Sequence, residues 1–464
     1  MTSAQKLATA KLALLLSLSL SALCARADLY SASVAYKKQD YAEAFREYRE
    51  LAELGQPQAQ FNLAVMYANG QGTATSYTSA HAWASLARAN GDSSADALVA
   101  KLEPQLTPTS LQVSSQIQTQ FGSASLNSRL MPRFLQGREY ADRDPVRPSK
   151  PFIPTYPVEA RRQGIQGEVY VEFLVAADGR ARLPRILYAL PSGMFDSAVR
   201  DSVLRSSFLP ARINGTPIAS TVSTFYNFKI SNVTVDDYIG LESRAKSTLA
   251  KAEAGDASAQ LMYAMMISGL PQLRQTYDKA LPWFLKAAQA GSPYAQYQIG
   301  TGLLQGRGCQ CDAAKGDIWL EKAAQADQPD AQVTLAEHLL RDHPTPESVS
   351  GALIWLQRAA KNGNSSAKLY LAALLATNPQ PNVHDPARAL ELADGIMKEL
   401  HDDPSVWEVR AAANAARGDF KAATKDQARA VKEAVELGWD LTPLQQRQDL
   451  YASNQTWSGD LLAY

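Results

Sequence analysis

Residues 291–326 read GSPYAQYQIGTGLLQGRGCQCDAAKGDIWLEKAAQA, and this stretch decides the fold of most of the chain. An apolar segment begins at Ala295-Gln296 and is interrupted by Gly306-Arg307-Gly308. A second apolar segment follows and contains Ile318-Trp319 and Ala323-Ala324. Apolar residues at helical spacing on both sides of a glycine break predict two antiparallel helices.

The pattern of this stretch recurs every 36 residues. Alanines at this spacing are Ala259, Ala295, Ala331 and Ala367, with a further pair at Ala59 and Ala95. A fixed period of this size indicates helical repeats that stack into a solenoid. Solenoids usually hold other molecules, so the period favours a binding or scaffolding role over catalysis.

Tryptophans follow the same period. They stand at Trp283, Trp319 and Trp355, and Trp83 follows Ala59 by the spacing that separates Ala259 from Trp283. Paired alanines four and five residues after Trp283, Trp319 and Trp355 remove bulk where helices cross, and a tryptophan fills the groove beside them. We therefore predict that all four tryptophans belong to the repeat core.

The alanine-glutamine pair, the glycine loop and the tryptophan with its alanines resemble SEL-one-like repeats of the tetratricopeptide superfamily. The resemblance covers roughly 28–125 with a capping helix and 238–402 with four units. Departures are Asp327 in place of glycine, Glu391 in place of tryptophan, and Pro282 before Trp283, so irregular units are expected there. Residues 403–440 resemble a tetratricopeptide unit that would cap the array, and 441–464 are predicted to be a C-terminal tail.

The N-terminus has the pattern of a secretory signal peptide. Lys6 and Lys11 precede an apolar run from Leu12 to Cys24, and Ala25-Arg26-Ala27 offers a cleavage site. We predict that residues 1–27 are removed, that the protein is periplasmic, and that no membrane span remains. An inner-membrane anchor is the alternative if the signal is not cleaved.

Composition argues against several classes of protein. The chain has 46 basic and 46 acidic residues, so nucleic acid is not expected as a partner. Five scattered histidines lack metal-ligand spacing, and we predict no metal, no cofactor and no enzyme activity. Cys309 and Cys311 could form a strained disulfide in an oxidising compartment, or they could be two loop thiols.

Between the two regions of helical repeats, the 36-residue period disappears. Residues 126–150 are proline-rich and charged near their end and predict a linker. Apolar residues alternate with other residues over Val169–Val175, and Asp178-Gly179 follows as a turn, so a half-buried hairpin is predicted. Its second strand contains Pro184 and is therefore expected at the periphery of the sheet. A helix opened by Asp196 and a third strand over Val222–Ile230 complete a β-β-α-β order.

This region, about 151–232, resembles the C-terminal domain of TonB, the periplasmic energy transducer. The resemblance is carried by the Pro154–Pro157 segment, Gly164, the Asp178-Gly179 turn, Phe195-Asp196 and Phe228, among other positions. It implies that the domain grips a TonB-box-like peptide of an outer-membrane receptor by adding it to the sheet as a strand. The implied partner-binding residues are Pro154, Tyr156, Pro157, Val222, Thr224, Tyr226, Phe228 and Ile230.

Taken together, the sequence predicts a mainly α protein in which two α-solenoid arrays flank a small α+β domain with a three-stranded antiparallel sheet. The expected function is a periplasmic adaptor that captures an extended peptide and holds a second envelope protein on its repeats. One alternative is a structural scaffold in which the TonB-like domain is a spacer or dimeriser. Another is a cell-wall or β-lactam hydrolase, which no nucleophile motif supports.

Overall fold

We describe the fold from a computed structural model. The structure describes residues 29–135, 143–149, 153–213, 215–230, 235–270, 273, 277–340, 345–400 and 403–462, so the predicted signal peptide lies outside the described residues. The chain divides into two compact units, one drawn from residues 1–134 and 298–322, the other from 135–297 and 323–464. Within the described ranges, no helix has the length and apolar character needed to cross a membrane.

The N-terminal part of the first unit is helical. Its helices are α1 Leu29–Lys37, α2 Tyr41–Glu53, α3 Pro57–Asn69, α4 Tyr77–Ala89, α5 Ala95–Leu102, a 3-10 turn Glu103–Gln105, α6 Pro108–Phe121 and α7 Ser123–Arg129. The core of these helices includes Leu63, Met66 and Trp83, all almost fully buried.

The strands lie between the two helical regions of the sequence. They are β1 Arg143–Asp144, β2 Arg147–Pro148, β3 Gly167–Val175, β4 Ala181–Leu190, β5 Phe208–Leu209, β6 Ala211–Ile213, β7 Thr216–Ile218 and β8 Ser220–Phe228. Helices α8 Val158–Arg162 and α9 Asp196–Leu204 lie among them.

The remaining helices follow one another in the sequence. They are α10 Val235–Glu253, α11 Ala257–Gly269, α12 Tyr277–Gln289, α13 Pro293–Gln305, α14 Ala313–Gln325, α15 Pro329–Leu340, α16 Pro346–Lys361, α17 Ser365–Thr377, α18 Pro386–Leu400, α19 Pro404–Ala416, α20 Phe420–Leu437 and α21 Thr442–Ala452. The predicted irregular positions do not interrupt the helices, since α12 continues through Pro282 and α18 contains Glu391.

The signature glutamine of each repeat has a structural role. Its Nε2 donates to a carbonyl eight residues earlier, in the last turn of the preceding helix. The bonds are Gln60 to Ala52 at 3.1 Å, Gln260 to Ala252 at 3.2 Å, Gln296 to Ala288 at 3.2 Å and Gln332 to Ala324 at 2.9 Å. Because the last carbonyls of a helix have no partner inside it, this bond satisfies one of them and joins consecutive helices.

Asp327 adopts the backbone conformation of the glycine that it replaces. Its φ is 60°, while Gly255, Gly291 and Gly363 have φ values of 96°, 94° and 87° at the corresponding turns. Aspartate tolerates this left-handed region better than most residues. The Nε of Arg358 lies 2.7 Å from Asp327 Oδ1 and holds the turn.

The four repeat tryptophans differ in burial. Trp83 and Trp319 are 4% and 1% exposed, whereas Trp283 and Trp355 are half-buried. A basic side chain three residues later lies near each half-buried ring, with Lys286 Nζ 4.2 Å from the Trp283 centroid and Arg358 Cζ 5.7 Å from the Trp355 centroid. Trp83 and Trp319 are therefore the more deeply buried of the four rings, and the core role of all four stays a prediction.

The second unit contains the predicted three-stranded antiparallel sheet, with strand order β4-β3-β8. Pro184 lies in β4, which is an edge strand with a register shift near Arg185, as the proline predicted. The predicted linker segment also contributes two short strands, because β1 pairs with β6 and β2 pairs with β5.

One face of the sheet packs against its own helix. Val169, Val171 and Phe173 of β3 lie in a core with Val199 and Val203 of α9. This face is the one that the alternation of apolar residues predicted.

The opposite face of the sheet is also covered, so the prediction of a half-buried hairpin is wrong for β3. Tyr170 and Phe225 are 1% and 9% exposed, and their rings lie 4.4 Å apart against Met266 and Leu270 at the end of α11. Both faces of the sheet are therefore buried, one by α9 and the other by a repeat.

Candidate peptide-binding edge

Strand β8 is the element on which an added strand would pair. It pairs with β3 over its whole length, from Gly167 opposite Phe228 to Val175 opposite Ser220. In the part of the chain that the structure describes, β3 is its one partner strand. An edge strand presents alternate N–H and C=O groups away from the sheet.

Three of the predicted contact side chains on β8 pack on the domain core. Val222 and Tyr226 are half-buried against it, and Phe228 is 2% exposed and stacks on Phe195 with centroids 4.2 Å apart. Burial raises the pKa of the Tyr226 hydroxyl. These side chains hold the domain together, so recognition of a peptide here would depend mainly on the backbone.

The prediction that the strand extends to Ile230 is wrong. Strand β8 ends at Phe228, and Ile230 lies two residues beyond it with 52% of its side chain exposed.

The end of helix α11 touches the middle of β8. Thr224 Oγ1 donates to the carbonyl O of Gly269 at 3.3 Å. A Cβ placed on Gly269 would lie 3.5 Å from the backbone N of Phe225. The contact separates the strand into a first part before Thr224 and a second part after Phe225.

The Pro154–Pro157 segment lies beside the end of β8. Pro154 is buried, and the Tyr156 ring makes edge contacts with Phe228 and Phe195 at centroid distances of 5.5 Å and 5.8 Å. The Tyr156 hydroxyl donates to the carbonyl O of Ile165 at 2.6 Å. Tyr156 therefore packs against the last strand, and Pro157 precedes α8.

A buried ionic cluster lies on the second face of the sheet. Glu172 of β3 is fully buried, and its Oε1 lies 2.6 Å from Arg185 Nη2 of β4. The hydroxyl of Tyr297 donates to the same oxygen at 2.7 Å and lies 2.6 Å from Arg185 Nη2. Arg185 Nη1 reaches Asp330 Oδ1 of α15 at 3.3 Å, and Ser223 of β8 donates to Glu172 Oε2 at 3.1 Å.

Burial and the mutual attraction of these groups set their protonation. Burial raises the pKa of the Tyr297 hydroxyl well above its usual value, so it stays protonated. Burial acts to lower the pKa of Arg185, but Tyr297, Asp330 and Glu172 more than offset this effect and raise it. Burial also raises the pKa of Asp330, although Arg185 opposes the shift.

Sequence reasoning missed this cluster. Alternation along β3 placed Glu172 on the face expected to meet water, and Arg185, Tyr297 and Asp330 are far apart in the sequence. The available signal was Glu172 itself, a charged residue whose neighbours Tyr170 and Leu174 on the same face are apolar.

Cys309 and Cys311, the possible disulfide pair, lie in the glycine loop of a repeat in the first unit. Cys309 is buried and forms an isolated backbone bridge with Phe134. Cys311 Sγ lies 3.3 Å from the carbonyl O of Leu304. Cys309 is a reduced thiol, so the predicted disulfide between Cys309 and Cys311 is wrong.

The fold combines a small α+β domain with helical repeats, and comparison with known families specifies both. Residues 153–230 match the family described as the Gram-negative bacterial TonB protein C-terminal. Matches to the Sel1 repeat cover residues 57–92, 257–292, 293–328 and 329–364. The chain thus combines a TonB C-terminal domain with Sel1 repeats, and these are families of non-enzymatic interaction domains.

One curated relative matches a part of this chain. Protein TonB of Pseudomonas aeruginosa is 34% identical over 85 residues, which cover 18% of this chain and 25% of that protein. The chain therefore spans a quarter of the length of this relative. The TonB likeness suggests an envelope protein.

Three solved structures are similar to this chain, each with a TM-score below 0.5. The C-terminal domain of P. aeruginosa TonB is 33% identical and covers 19% of this chain and 90% of its own, with a TM-score of 0.18. A Sel1 repeat protein from Oxalobacter formigenes is 32% identical over 26% of this chain and 92% of its own, with a TM-score of 0.24. A protective antigen of uropathogenic Escherichia coli with an SLR fold is 17% identical over 89% of this chain and 74% of its own, with a TM-score of 0.34.

Proposed function

We propose that this protein is a periplasmic adaptor. In this proposal, β8 captures an extended peptide of an outer-membrane receptor by strand addition, and the helical repeats hold a second envelope protein. The observation that supports the capture is the position of β8 at the edge of the sheet, with β3 as its one partner strand among the described residues. Strand addition derives its affinity from main-chain hydrogen bonds.

The strength of this capture follows from the length of the edge. Strand β8 has nine residues. About four or five of them face outward with both N–H and C=O, so an open edge would allow about eight to ten main-chain bonds at about 1 kcal/mol net each. The Gly269 contact at Thr224 limits a guest to one part of the strand, and therefore to fewer bonds. We expect a modest affinity that comes mainly from the backbone of the part of β8 that stays open.

A structural scaffold is the second candidate. The observation that favours it is the cluster of Glu172, Arg185, Tyr297 and Asp330, which fixes the sheet to helices of the repeats in the second unit. In such a scaffold the TonB-type domain spaces or orients the repeats, and no peptide binds to β8.

A peptide-binding experiment distinguishes the two candidates. A fluorescent synthetic peptide with the TonB-box segment of an outer-membrane receptor is titrated into the full chain, because the sheet packs on the repeats. Proline is introduced at Val222 in one variant and at Thr221 in another. Adjacent residues of a strand point their N–H groups to opposite sides, so one proline removes an outward N–H and the other removes an N–H of the β3 pairing.

Adaptor function predicts that the wild-type chain binds the peptide. The variant that keeps its circular dichroism spectrum, and so loses only an outward N–H, should bind more weakly by about fivefold or more. If the wild-type chain does not bind, or if the folded variant binds with unchanged affinity, peptide capture on β8 is wrong. Crosslinking in living cells followed by mass spectrometry then tests whether a protein partner contacts the repeats.

A further inference from the structure

One repeat of the first unit binds a short segment of this chain, residues 130–134. The indole Nε1 of Trp319 donates to the carbonyl O of Leu130 at 3.0 Å. The Nζ of Lys315 donates to the next carbonyl O, that of Met131, at 3.4 Å. Two side chains of helix α14 therefore hold the segment by consecutive backbone carbonyls.

The side chains of this segment alternate between buried and exposed positions. Leu130 and Pro132 are buried, whereas Met131 and Arg133 are exposed. Alternation of this kind is typical of an extended backbone. A buried proline suits such a segment, because it has no N–H that needs a partner. The repeat thus binds an extended peptide segment whose inward side chains are apolar.

The repeat one period earlier carries the same two donors. Lys279 and Trp283 stand 36 residues before Lys315 and Trp319. In both pairs the tryptophan follows the lysine by four residues, so the two donors lie on one face of their helix. Helix α12 therefore presents a second copy of the donor pair that holds residues 130–134 on helix α14.

This second copy is open to solvent. Trp283 is half-buried, whereas Trp319 is 1% exposed. The side chain of Lys279 is 67% exposed, compared with 24% for Lys315. The ring of Tyr263 packs edge-on against Trp283 with centroids 5.4 Å apart and extends the apolar surface beside the donors.

We propose that Lys279 and Trp283 bind an extended segment of a partner protein. Their N–H groups donate to two consecutive backbone carbonyls of that segment, and its inward apolar side chains cover the Trp283 and Tyr263 rings. The partner segment has the Leu-x-Pro-x-Phe pattern of residues 130–134. This inference rests on the proposed function, in which the repeats hold a second protein, and it names the site and the chemistry of that contact.

The nature of the occupant follows from the repeat that is already filled. The equivalent donors on α14 hold a polypeptide by its carbonyls. Residues 130–134 are engaged by Trp319, so the segment that binds to α12 belongs to another molecule. Main-chain carbonyls occur in every protein, and selectivity therefore comes from the alternating side chains.

The test is fluorescence polarisation of a labelled peptide, Leu-Met-Pro-Arg-Phe-Leu, which copies residues 130–135 and is titrated with the full chain. The control peptide has serine in place of the first leucine and of the phenylalanine. We expect saturable binding of the first peptide and binding of the control that is weaker by about tenfold or more. Trp283→Leu should weaken binding of the first peptide by about tenfold or more, because it removes an N–H donor and an aromatic face.

The matched control variant is Trp355→Leu. This tryptophan occupies the same place in its repeat, but Gly351 stands where the repeat of α12 has Lys279, so the variant should bind the peptide like the wild type. Lys279→Ala covers the case in which Trp283→Leu does not fold. Because Lys279 is exposed, this variant should fold, and it should bind the peptide more weakly by about threefold or more.

The proposal fails if the peptide does not bind. It also fails if the folded variants Trp283→Leu and Lys279→Ala bind the peptide like the wild type, because the peptide has then displaced residues 130–134 at Trp319. Binding of chitotetraose without binding of the peptide would assign the face to a glycan instead. A dimer in sedimentation that Trp283→Leu abolishes would make the occupant a second copy of this chain and would overturn the proposal as well.

Failure of this site and failure of the proposed function can be told apart. Trp283→Leu should bind the TonB-box peptide on β8 like the wild type. Crosslinking in cells that finds no protein on the repeats would contradict the adaptor function, whereas the titration with the peptide tests the site on α12 alone.

Discussion

The substitution Arg185→Met tests how the TonB-type sheet is held. It replaces a buried guanidinium by an apolar side chain of similar length. Glu172 and Asp330 would then remain buried without their shared cation. Glu172 would keep the hydroxyls of Tyr297 and Ser223 at 2.7 Å and 3.1 Å.

The expected cost follows from these remaining contacts. Removing one partner of a buried ion pair costs about 3–5 kcal/mol because the other charge stays desolvated. Two retained hydroxyl donors offset part of that cost for Glu172, so we expect the lower end, about 3 kcal/mol. In the double variant with Glu172→Gln, one buried charge is removed as well, and the combined loss should be smaller than the sum of the single losses by about 1–2 kcal/mol.

Urea unfolding of the full chain measures the loss in free energy, and hydrogen exchange of the β3 amides assigns it to the sheet. Arg388→Met is the control, because Arg388 forms an exposed ion pair with Glu391 and should contribute less than about 0.5 kcal/mol. A loss below about 1 kcal/mol for Arg185→Met, or equal losses for Arg185→Met and Arg388→Met, would refute the conclusion that the cluster stabilises the sheet.

Three further predictions concern single positions. Gly269→Ala places a methyl group 2.8 Å from the Tyr170 ring and 3.0 Å from the Phe225 ring. It should therefore destabilise the second unit by about 1–3 kcal/mol in urea unfolding, and an unchanged midpoint would contradict this packing. Gln332→Leu removes the bond to the preceding helix and should cost about 1 kcal/mol, measured in the same way, whereas a neutral effect would show that the bond is dispensable. Burial raises the pKa of Asp403, opposed by Ser405 and Arg182, so the folded chain holds this proton to a higher pH than the unfolded chain. This contribution to stability is present at low pH and is lost as the pH rises through the folded pKa. The difference in free energy of unfolding between the wild type and Asp403→Asn should therefore change with pH, and a difference that stays constant with pH in urea unfolding would contradict this prediction.

Much of the repeat fold could be predicted from the sequence because its signals are local. The backbone N–H of a repeat alanine donates to a capping side chain three residues earlier, as Ala367 does to Asn364 Oδ1 at 2.7 Å. The period also located Asp327, whose backbone takes the conformation of the glycine it replaces. The hydrogen bond made by the signature glutamine could not be predicted, because its acceptor is a backbone carbonyl, which every residue has.

The covering of the sheet could not be predicted, because it depends on contacts between distant segments. Alternation along β3 correctly placed Val171 in the core but placed Glu172 towards water. The partner of Glu172 on α13 is Tyr297, which the period identifies only as a member of a repeat. A charged residue on an otherwise apolar face can lie at the solvent-exposed border of that face, or it can be buried in an ion pair. Only the packing of the folded chain decides which of the two occurs.

The two-sided burial of the sheet has a mechanical consequence. A three-stranded sheet with one free face resists tension through its strand pairing alone. In this protein, tension applied along β8 would pass through Ser223 and Glu172 to Arg185 and Tyr297, so helices of the solenoid would share the load. Single-molecule pulling from the end of β8 should therefore require greater force in the wild-type chain than in a chain that lacks the Arg185 guanidinium.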